Sequence, residues 1–399
     1  MSLIVGRRSA KINLEQVNQY KMSEWLSSSE ALARLSLKPQ TLYAYVSRGL
    51  IAMRPDGADA RKSLYRAADV ERLEALKRRG RRRATIAEDA IAWGEPVLTS
   101  ALTAVAGGRL FYRGRDAVEL ARTARLEDVA RLLWNCGDAK FPRVDGPARS
   151  GPLFGRLLAA LAERASVEPP AADRSERALY FEAAATLDAL VDAASGSSGD
   201  GPIHERLAKA WRVPSGGLRR ALALLADHEL NASTFAARVA ASTGASIAAS
   251  ALAGLCALSG PAHGGVTRRV YALAAAARRN GPESALRAAI AGQGTAPGFG
   301  HPLYPEGDPR ARALLADLAQ PAIYQGLGEA AESIGGPPPN VDFALVALCE
   351  SLSLPEDAAF AIFAVARSVG WIAHALEQRR DGRLIRPRAR YVGPAVELA

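Results

Sequence analysis

Cysteine and histidine are both scarce in this chain of 399 residues, which contains three cysteines and five histidines. Cys136, Cys256 and Cys349 lie far apart in the sequence, so neither a disulfide framework nor a cysteine-based metal site is supported. Because histidine is rare, the places where it occurs are informative about function.

Long apolar runs are also lacking. We find no stretch of about 18 apolar residues that would suit a membrane span. The start, MSLIVGRRSAKINLEQ, has too short an apolar run for a secretion signal. The hydrophobic fraction of 49% is nevertheless that of a globular protein, and the length is sufficient for two or three domains. The sequence therefore predicts a cytoplasmic protein that does not contact membranes.

Negative charge is deficient only at the N-terminal end of the chain. Residues 1–85 contain 18 Lys and Arg against 8 Asp and Glu, whereas the other residues contain 33 of each. The whole net charge of +10 therefore belongs to the first fifth of the sequence. This asymmetry indicates a segment that faces a polyanion, attached to a neutral body. A solvated basic surface is the alternative.

Two short helices are predicted within this basic segment. Residues 27–37, SSSEALARLSL, provide a serine N-cap followed by apolar periodicity. Lys38–Arg48 forms the second helix, with Pro39 in its first turn and Gly49 as its terminator. So tight a connection between two helices is typical of a helix-turn-helix.

A loop and a third helix complete the segment. The loop from Arg54 to Ser63 would act as a wing against phosphates, and a helix follows from about Ala68 to Arg79. The basic run from Lys77 to Arg83 is a natural linker.

Over residues 22–80 the pattern, and LYAYVSRGLI in particular, resembles the winged helix-turn-helix of the MerR and excisionase type. That resemblance implies DNA binding through the second helix and the wing. A small helical domain for protein contacts or dimerisation is the alternative. The candidate DNA-binding residues are Lys38, Gln40, Thr41, Tyr43, Arg48, Arg61 and Lys62.

Beyond about Thr85 the pattern is helical almost throughout. A hairpin is expected within Leu98–Tyr112, with Gly107 and Gly108 in the turn. Ala194–Pro202 is predicted to be a flexible loop. Because it contains no His or Arg, we expect no active-site role for it. The predicted helices include Leu126–Trp134, Gly155–Ala165, Glu176–Ala193, Leu218–Leu225, Thr234–Leu258, Val266–Asn280 and Glu356–Gln378.

Five short motifs place His, Asp or Arg mostly at glycine or proline breaks of this helical body. Glycine allows the backbone to approach a ligand closely, and His and Asp are the usual proton-transfer groups. The combination indicates an enzyme. The motifs are DHELNAS (227–233), GPAHGG (260–265), GFGH (298–301), DPRA (308–311) and PNVDF (339–343).

These motifs resemble those of the citrate synthase family over about residues 86–399. GPAHGG is similar to the family's GPLHGG, and GFGH, DPRA and PNVDF match in order. Further landmarks are LFYRGRD (110–116), VARLLW (129–134), ARSVGW and IRPRARYVGP. The resemblance implies an all-α fold with a large helical domain and a small one, the latter roughly at 260–350, preceded here by the winged helix-turn-helix.

The resemblance also implies roles for three catalytic residues. Asp342 would remove a proton from the methyl group of acetyl-CoA, and His263 would donate a hydrogen bond to the thioester oxygen. His301 would polarise the ketone of oxaloacetate. Citrate and coenzyme A would be the products. The coenzyme A thioester enters as a substrate, and no metal or redox cofactor is needed.

Oxaloacetate is a dicarboxylate, and a guanidinium group matches a carboxylate in bidentate geometry. Arg310, Arg367 and Arg386 occupy the matching positions, and His228 would add a donor. In the family the last arginine reaches the partner subunit's site, so the resemblance implies a homodimer.

Each of these residues also has a simpler interpretation. His228 fits a helix end, and His263 and His301 fit packing positions. Asp342 fits a helix N-cap, and the three arginines fit a solvated surface. His204 and His374 belong to no comparable motif and are expected to be structural. The pairs Arg268-Arg269 and Arg278-Arg279 suit either the phosphates of coenzyme A or solvated helix faces.

Three departures from the family pattern leave the substrate open. Pro302 follows GFGH where the family often has Arg, and Ala344-Leu345-Val346 replaces small polar residues after PNVDF. Val266-Thr267 follows GPAHGG in place of Ala-Asn. A 2-methylcitrate synthase that uses propionyl-CoA is therefore an alternative. Two others are a DNA-binding regulator whose synthase body senses a dicarboxylate or an acyl-CoA, and a citryl-CoA lyase running in the reverse direction.

Overall fold

The computed structural model describes residues 24–35, 37, 39–47, 50–57, 59, 62–74, 98–137, 139–141, 143, 150–172 and 174–394. The chain divides into two compact units, Met1–Thr99 and Ser100–Ala399. The expected boundary near residues 80–86 lies outside the described residues.

The first unit combines short helices with a small sheet. Its elements are β1 (Trp25–Ser27), α1 (Ser28–Leu35), α2 (Pro39–Ser47), β2 (Met53–Pro55), β3 (Ser63–Arg66) and α3, the helix over 67–74. The antiparallel order is β1-β3-β2, so the loop expected as a wing joins β2 to β3. Apolar residues from all of these elements except β2 form the core, including Leu26, Leu35, Leu42, Tyr65 and Val70.

Two polar devices hold this unit together. Ser27 and Glu30 form a capping box at the start of α1, since the Ser27 Oγ accepts from the Glu30 N–H at 3.3 Å and the Glu30 carboxylate accepts from the Ser27 N–H at 2.8 Å. The buried Asp69 on α3 accepts from the Ala52 N–H at 3.0 Å and from the Arg66 Nε at 2.9 Å. These bonds attach α3 to the hairpin.

The second unit begins with a three-stranded antiparallel sheet of β4 (Thr103–Ala106), β5 (Arg109–Tyr112) and β6 (Arg115–Asp116). The predicted hairpin is confirmed, and its turn is made by Gly107 and Gly108 with φ values of 55° and 70°. Positive φ at both central residues is what a type I′ turn requires, which explains the two glycines.

Helices form the rest of the second unit. They are α4 (Ala117–Ala121), α5 (Leu126–Trp134), α6 (Leu153–Val167), α7 (Glu176–Ser195), α8 (Ile203–Trp211), α9 (Ser215–Leu225), α10 (Ala232–Ser242), α11 (Ile247–Leu258), α12 (Val266–Asn280), α13 (Pro282–Gln293), α14 (Pro309–Leu315), α15 (Ala322–Ser333), α16 (Val341–Ser351) and α17 (Ala358–Asp381).

One helix prediction is wrong. Thr234–Leu258 is not a single helix, because the chain breaks into α10 and α11 at Gly244, which has a φ of 84°. Ser246 caps the new start by accepting from the Ala249 N–H at 3.2 Å. The break lets α11 fold back against α10 and α6.

Helix α17 lies at the centre of the unit and contacts α5, α7, α9, α10 and α11. Gly254 on α11 allows the close approach, since a Cβ there would lie 2.6 Å from the ring of Trp371. Among the described residues, α17 alone is long and apolar enough to cross a membrane, but 94% of its apolar window is buried in the fold. That burial makes it a core helix. Helices α12 to α16 pack mainly on one another.

Candidate active site

The DHELNAS motif makes the turn between α9 and α10, and the β4–β5 hairpin supports it. Glu229 has a left-handed φ of 50°, and its carboxylate accepts from the Val105 N–H at 2.9 Å. The Tyr112 hydroxyl donates to the Leu224 carbonyl at 2.9 Å, and Thr103 donates to the carboxylate of Asp227. The hairpin therefore holds the turn and the end of α9 at Leu224, Asp227 and Glu229.

His228 is presented by this turn and is buried. Its Nε2 lies 3.0 Å from the Tyr304 hydroxyl, and its ring centroid lies 5.0 Å from that of His301. Burial lowers the pKa of His228 well below its usual value, and the positive charges of Arg310 and Arg367 lower it further. The imidazole is therefore neutral at physiological pH.

His263 lies in the GPAHGG turn just before α12. Its Nε2 is 2.8 Å from the Oγ of Ser233, which also accepts from the Trp371 Nε1 at 3.1 Å and donates to the Asn231 Oδ1 at 2.7 Å. Burial lowers the pKa of His263 to about 4, with a contribution from Arg367, so this ring is also neutral.

The motif glycines permit the tight turn around His263. A Cβ on Gly264 would lie 2.7 Å from the Leu258 carbonyl oxygen, and a Cβ on Gly265 would lie 2.8 Å from the Cα of Pro261. Any side chain at either position would displace backbone atoms.

The GFGH and PNVDF segments run side by side, which brings His301 and the start of α16 together. Phe299 and Pro339 form an antiparallel bridge, and the Asn340 N–H donates to the Gly298 carbonyl at 2.8 Å. The Nδ1 of His301 accepts from the Leu303 N–H at 3.2 Å, so the neutral ring carries its proton on Nε2. Burial and then Arg310 lower the pKa of His301 to about 4.

Asp342 lies in the first turn of α16, but it does not cap the helix. Asn340 is the N-cap, and its Oδ1 accepts from the Asp342 N–H at 3.0 Å. The interpretation of Asp342 as an N-cap is therefore wrong. Its Oδ1 is buried without a hydrogen-bond partner, and burial raises the pKa of Asp342 to about 6. Burial therefore makes this carboxylate a stronger base than an ordinary aspartate, with a pKa close to neutral pH.

Arg310 and Arg367 are both buried, so the surface interpretation is wrong for these two arginines. Arg310 forms a forked pair with Asp308, with Nε–Oδ1 at 3.0 Å and Nη2–Oδ2 at 2.8 Å. Arg367 donates from Nε to the Leu225 carbonyl at 2.9 Å. Burial lowers the pKa of Arg367 to about 10, against the opposing charge of Asp227.

Six of the seven predicted catalytic and substrate-binding residues lie in one cluster, in which the charge of Arg310 or Arg367 affects the pKa of each of the other four. The seventh, Arg386, is exposed in the non-helical segment 382–394 that follows α17. The six clustered residues are His228, His263, His301, Arg310, Asp342 and Arg367.

The structure adds residues that the motifs alone did not single out. Tyr304 contacts His228, and Asp308 holds Arg310 and also accepts from the Val341 N–H at 3.0 Å. Ser233 belongs to DHELNAS and Asp308 belongs to DPRA, so the sequence motifs could have identified both residues. Tyr304 lies between GFGH and DPRA, and no motif pointed to it.

The two histidines expected to be structural are buried. The Nε2 of His374 lies 3.2 Å from the Asp227 carboxylate, and its Nδ1 lies 3.2 Å from the Nη1 of Arg238. His374, on α17, therefore contacts the first residue of the DHELNAS motif and supports the turn. His204 lies on α8, where burial lowers its pKa.

The arginine pairs considered for coenzyme A phosphates divide into engaged and exposed members. Arg269 donates to Gln293, and Arg278 pairs with Glu350. Arg268 and Arg279 are exposed. Within the described residues, no group of three or more His, Cys, Asp or Glu is arranged to hold a metal ion.

A cavity of about 130 Å³ opens elsewhere in the second unit, and no residue of the cluster lines it. Its wall holds an ion-pair network in which Arg206 and Arg143 both bond to Asp188 and Asp192, at distances of 2.5 to 2.9 Å. Part of the loop expected over Ala194–Pro202 lines it as well. The two arginines and two aspartates of this network pair with one another, and none of the clustered motif residues lies there, so we assign the chemistry to the histidine cluster.

Of the candidate DNA-binding residues, Lys38, Arg48 and Arg61 lie outside the described residues, as do the side chains of Gln40 and Tyr43. Thr41 on α2 is half-buried. Lys62 is exposed at the end of the β2–β3 loop, with its Nζ 3.6 Å from the carboxylate of Asp59.

Comparison with known proteins gives the family. A protein-family model for the C-terminal domain of citrate synthase matches residues 168–388, which is more than half of the chain. A crystal structure of citrate synthase from Thermotoga maritima has a TM-score of 0.61 and 27% identity, covering 77% of this chain and 96% of that one. The family model and the solved structure agree on a helical fold of the citrate synthase type. The chain belongs to the citrate synthase family.

Two curated relatives show the range of functions in that family. Citrate synthase 2 of Bacillus subtilis is 41% identical over 186 residues, 44% of this chain and 50% of that protein. The 2-methylcitrate synthase 2 of Corynebacterium glutamicum is 33% identical over 185 residues, 44% of this chain and 48% of that protein. These matches span about half the length of each relative.

Proposed function

We propose that the protein is a citrate synthase-type acyltransferase that condenses acetyl-CoA with oxaloacetate to citrate and coenzyme A. The observation that carries the proposal is Asp342, a buried carboxyl with an unpaired Oδ1 and a pKa raised to about 6. The relatives and the family membership support this choice of reaction.

In this mechanism Asp342 removes the proton from the carbon next to the thioester, and His263 stabilises the enolate oxygen. A neutral imidazole can donate to that oxygen from Nδ1 only when Nε2 has no proton. Ser233 now donates to Asn231, so the Nε2–H of His263 donates to Ser233. For that role the proton on Nε2 must exchange with water for one on Nδ1, and the Ser233 hydroxyl must turn from Asn231 to donate to the lone pair of Nε2.

The second substrate is held by the remaining members of the cluster. His301 carries its proton on Nε2 and donates it to the ketone oxygen, which makes that carbon more electrophilic. Arg310 and Arg367 provide buried positive charge for the two carboxylates. The new carbon–carbon bond forms between the enolate carbon and the ketone carbon, and water then hydrolyses the citryl thioester.

The test is release of free coenzyme A from acetyl-CoA with oxaloacetate. Asp342→Ala should lower kcat about 1000-fold or more, because the variant lacks the proposed base. The Asp357→Ala variant, which removes an exposed carboxylate at the start of α17, should keep the full rate. The wild-type rate should fall below pH 6 as Asp342 becomes protonated. No release by the wild type, or equal release by Asp342→Ala, would exclude the proposal.

Propionyl-CoA is the alternative donor, and the same assay decides between the two. The relative from Corynebacterium glutamicum supports it, as does the departure at Pro302. The departure at Ala344 and Leu345 carries less weight, since both side chains are fully buried among the apolar residues of the core. A higher kcat/KM with propionyl-CoA than with acetyl-CoA would assign the protein as a 2-methylcitrate synthase.

We further propose a homodimer in which Arg386 completes the partner subunit's site. The exposed position of Arg386, apart from the six clustered residues, supports this arrangement. A cytoplasmic location stays a prediction.

For the first unit we propose binding to DNA, with the body acting as enzyme, sensor or both. The β2–β3 hairpin beside α2, the exposed Lys62 and the basic excess of residues 1–85 support it. A basic patch of this kind neutralises phosphates, so its affinity falls steeply with salt.

A mobility shift of the full chain at physiological salt tests this second proposal. Replacing Arg61 and Lys62 with Ala should weaken binding to all DNA sequences equally and reduce the salt slope by about two. Replacing Lys209 and Arg212, two exposed cations of the second unit, is the matched control and should change neither. Absence of any shift by the wild type would leave the dimerisation interpretation. A loss confined to one sequence would contradict the wing as a phosphate contact.

A further inference from the structure

Tyr304 touches three residues of the cluster. Its hydroxyl lies 3.0 Å from the Nε2 of His228, and its ring centroid lies 5.0 Å from that of His301. The guanidinium carbon of Arg310 is 5.5 Å from the same ring. Tyr304 is itself buried, with 2% of its surface exposed. One tyrosine therefore packs against every clustered residue to which we assign oxaloacetate, apart from Arg367.

Two consecutive proline turns fix Tyr304 in place. The Tyr304 N–H donates to the His301 carbonyl at 2.9 Å, closing a turn with Pro302 at its second position. The Gly307 N–H donates to the Tyr304 carbonyl at 2.9 Å, closing another with Pro305 at its second position. Proline pre-sets the backbone at that position, and Gly307 supplies the φ of 107° that ends the second turn. Pro302, which stands where the family often has Arg, therefore helps to form the turn that positions Tyr304.

The hydrogen bond between Tyr304 and His228 decides where the proton of His228 lies. A neutral imidazole has one proton, on Nδ1 or on Nε2. Within the described residues, Nε2 has Tyr304 as its partner and Nδ1 has none. Only Nδ1 is left for a substrate. If Tyr304 accepts from Nε2–H, Nδ1 presents a lone pair, which repels a carboxylate.

We propose that Tyr304 is a positioning residue whose hydroxyl donates to the Nε2 of His228, which keeps the proton on Nδ1, where it donates to a substrate carboxylate. The inference rests on the proposed function, since the ligand is oxaloacetate. It adds a residue that lies outside the recognised motifs.

The test is Tyr304→Phe, which keeps the ring and removes only the hydroxyl. We expect the KM for oxaloacetate to rise about tenfold, which corresponds to the loss of one hydrogen bond to a charged group. The KM for acetyl-CoA should stay within about threefold, because His263 and Asp342 do not contact Tyr304. Tyr271→Phe is the matched control, since Tyr271 is a tyrosine of α12 whose hydroxyl is buried beside Cys349, away from the clustered residues. It should leave both constants unchanged.

A spectroscopic measurement on the wild type keeps the proposal testable even if Tyr304→Phe does not fold. Long-range ¹H–¹⁵N spectra of the ¹⁵N-histidine-labelled protein contain only five imidazoles. We expect His228 to show the Nδ1–H tautomer. An Nε2–H tautomer would overturn the proposal. So would an unchanged KM for oxaloacetate in Tyr304→Phe. Absence of coenzyme A release by the wild type would instead count against the proposed function, while the tautomer would still be read.

Discussion

At the scale of the residue, Asp342 shows that folding and catalysis make opposite demands. Burial destabilises its carboxylate, and the Asn340 cap takes the helix N–H groups that would otherwise satisfy it. Between about pH 4 and 6 the native state therefore binds more protons than the unfolded chain, in which the pKa is near 3.9. Stability from this residue is lost as the pH rises through that window.

Asp342→Asn should consequently stabilise the protein while abolishing coenzyme A release. We expect the free energy of unfolding to increase by about 1–3 kcal/mol above pH 6, and the gain to vanish near pH 4, where the wild-type carboxyl is neutral. Urea unfolding of both proteins at pH 4, 5, 6 and 8 measures it. A gain that is the same at every pH would show that packing, and not the buried charge, is responsible.

Much of the site at this scale was predictable from the sequence. The motifs supplied six residues that the structure brings together, whereas the seventh, Arg386, lies apart from them. The six are His228, His263, His301, Arg310, Asp342 and Arg367. The motifs did not supply Tyr304, because two proline turns bring this residue next to His228 and His301 only in the folded chain. Nor did they reveal the raised pKa of Asp342, since burial depends on residues distant in sequence.

At the scale of the element, periodicity predicted helices well where glycine agreed with it. Val266–Asn280 matches α12 at both ends, and the Gly107-Gly108 turn joins β4 and β5. The prediction fails at α10 and α11, where we expected one helix although Gly244 and the N-cap Ser246 mark a break. The alanine-rich sequence on both sides favours a helix, and only the fold shows that α11 packs back on α6 and α10.

At the scale of the whole molecule, the site needs a second chain if Arg386 belongs to the partner's site. Neither Asp342→Ala nor Arg386→Ala should release coenzyme A efficiently alone. Co-expressed, they form hybrid dimers in which one site has both intact residues. Random pairing in a symmetric dimer predicts about a quarter of the wild-type activity.

The measurement is coenzyme A release by the co-expressed variants compared with a mixture of the separately purified ones. Activity no greater than the sum of the two parents would place Arg386 in its own subunit or outside the site. Full activity of Arg386→Ala alone would remove it from substrate binding.

The hairpin of β4 and β5 is hydrogen-bonded to the turn that contains His228. Three side-chain bonds connect β4 and β5 to the segment 224–229, through Thr103, Val105 and Tyr112. Any displacement of His228 must therefore strain or release an element whose outer face is solvent-exposed. The position of a buried histidine is thus tied by hydrogen bonds to an exposed hairpin.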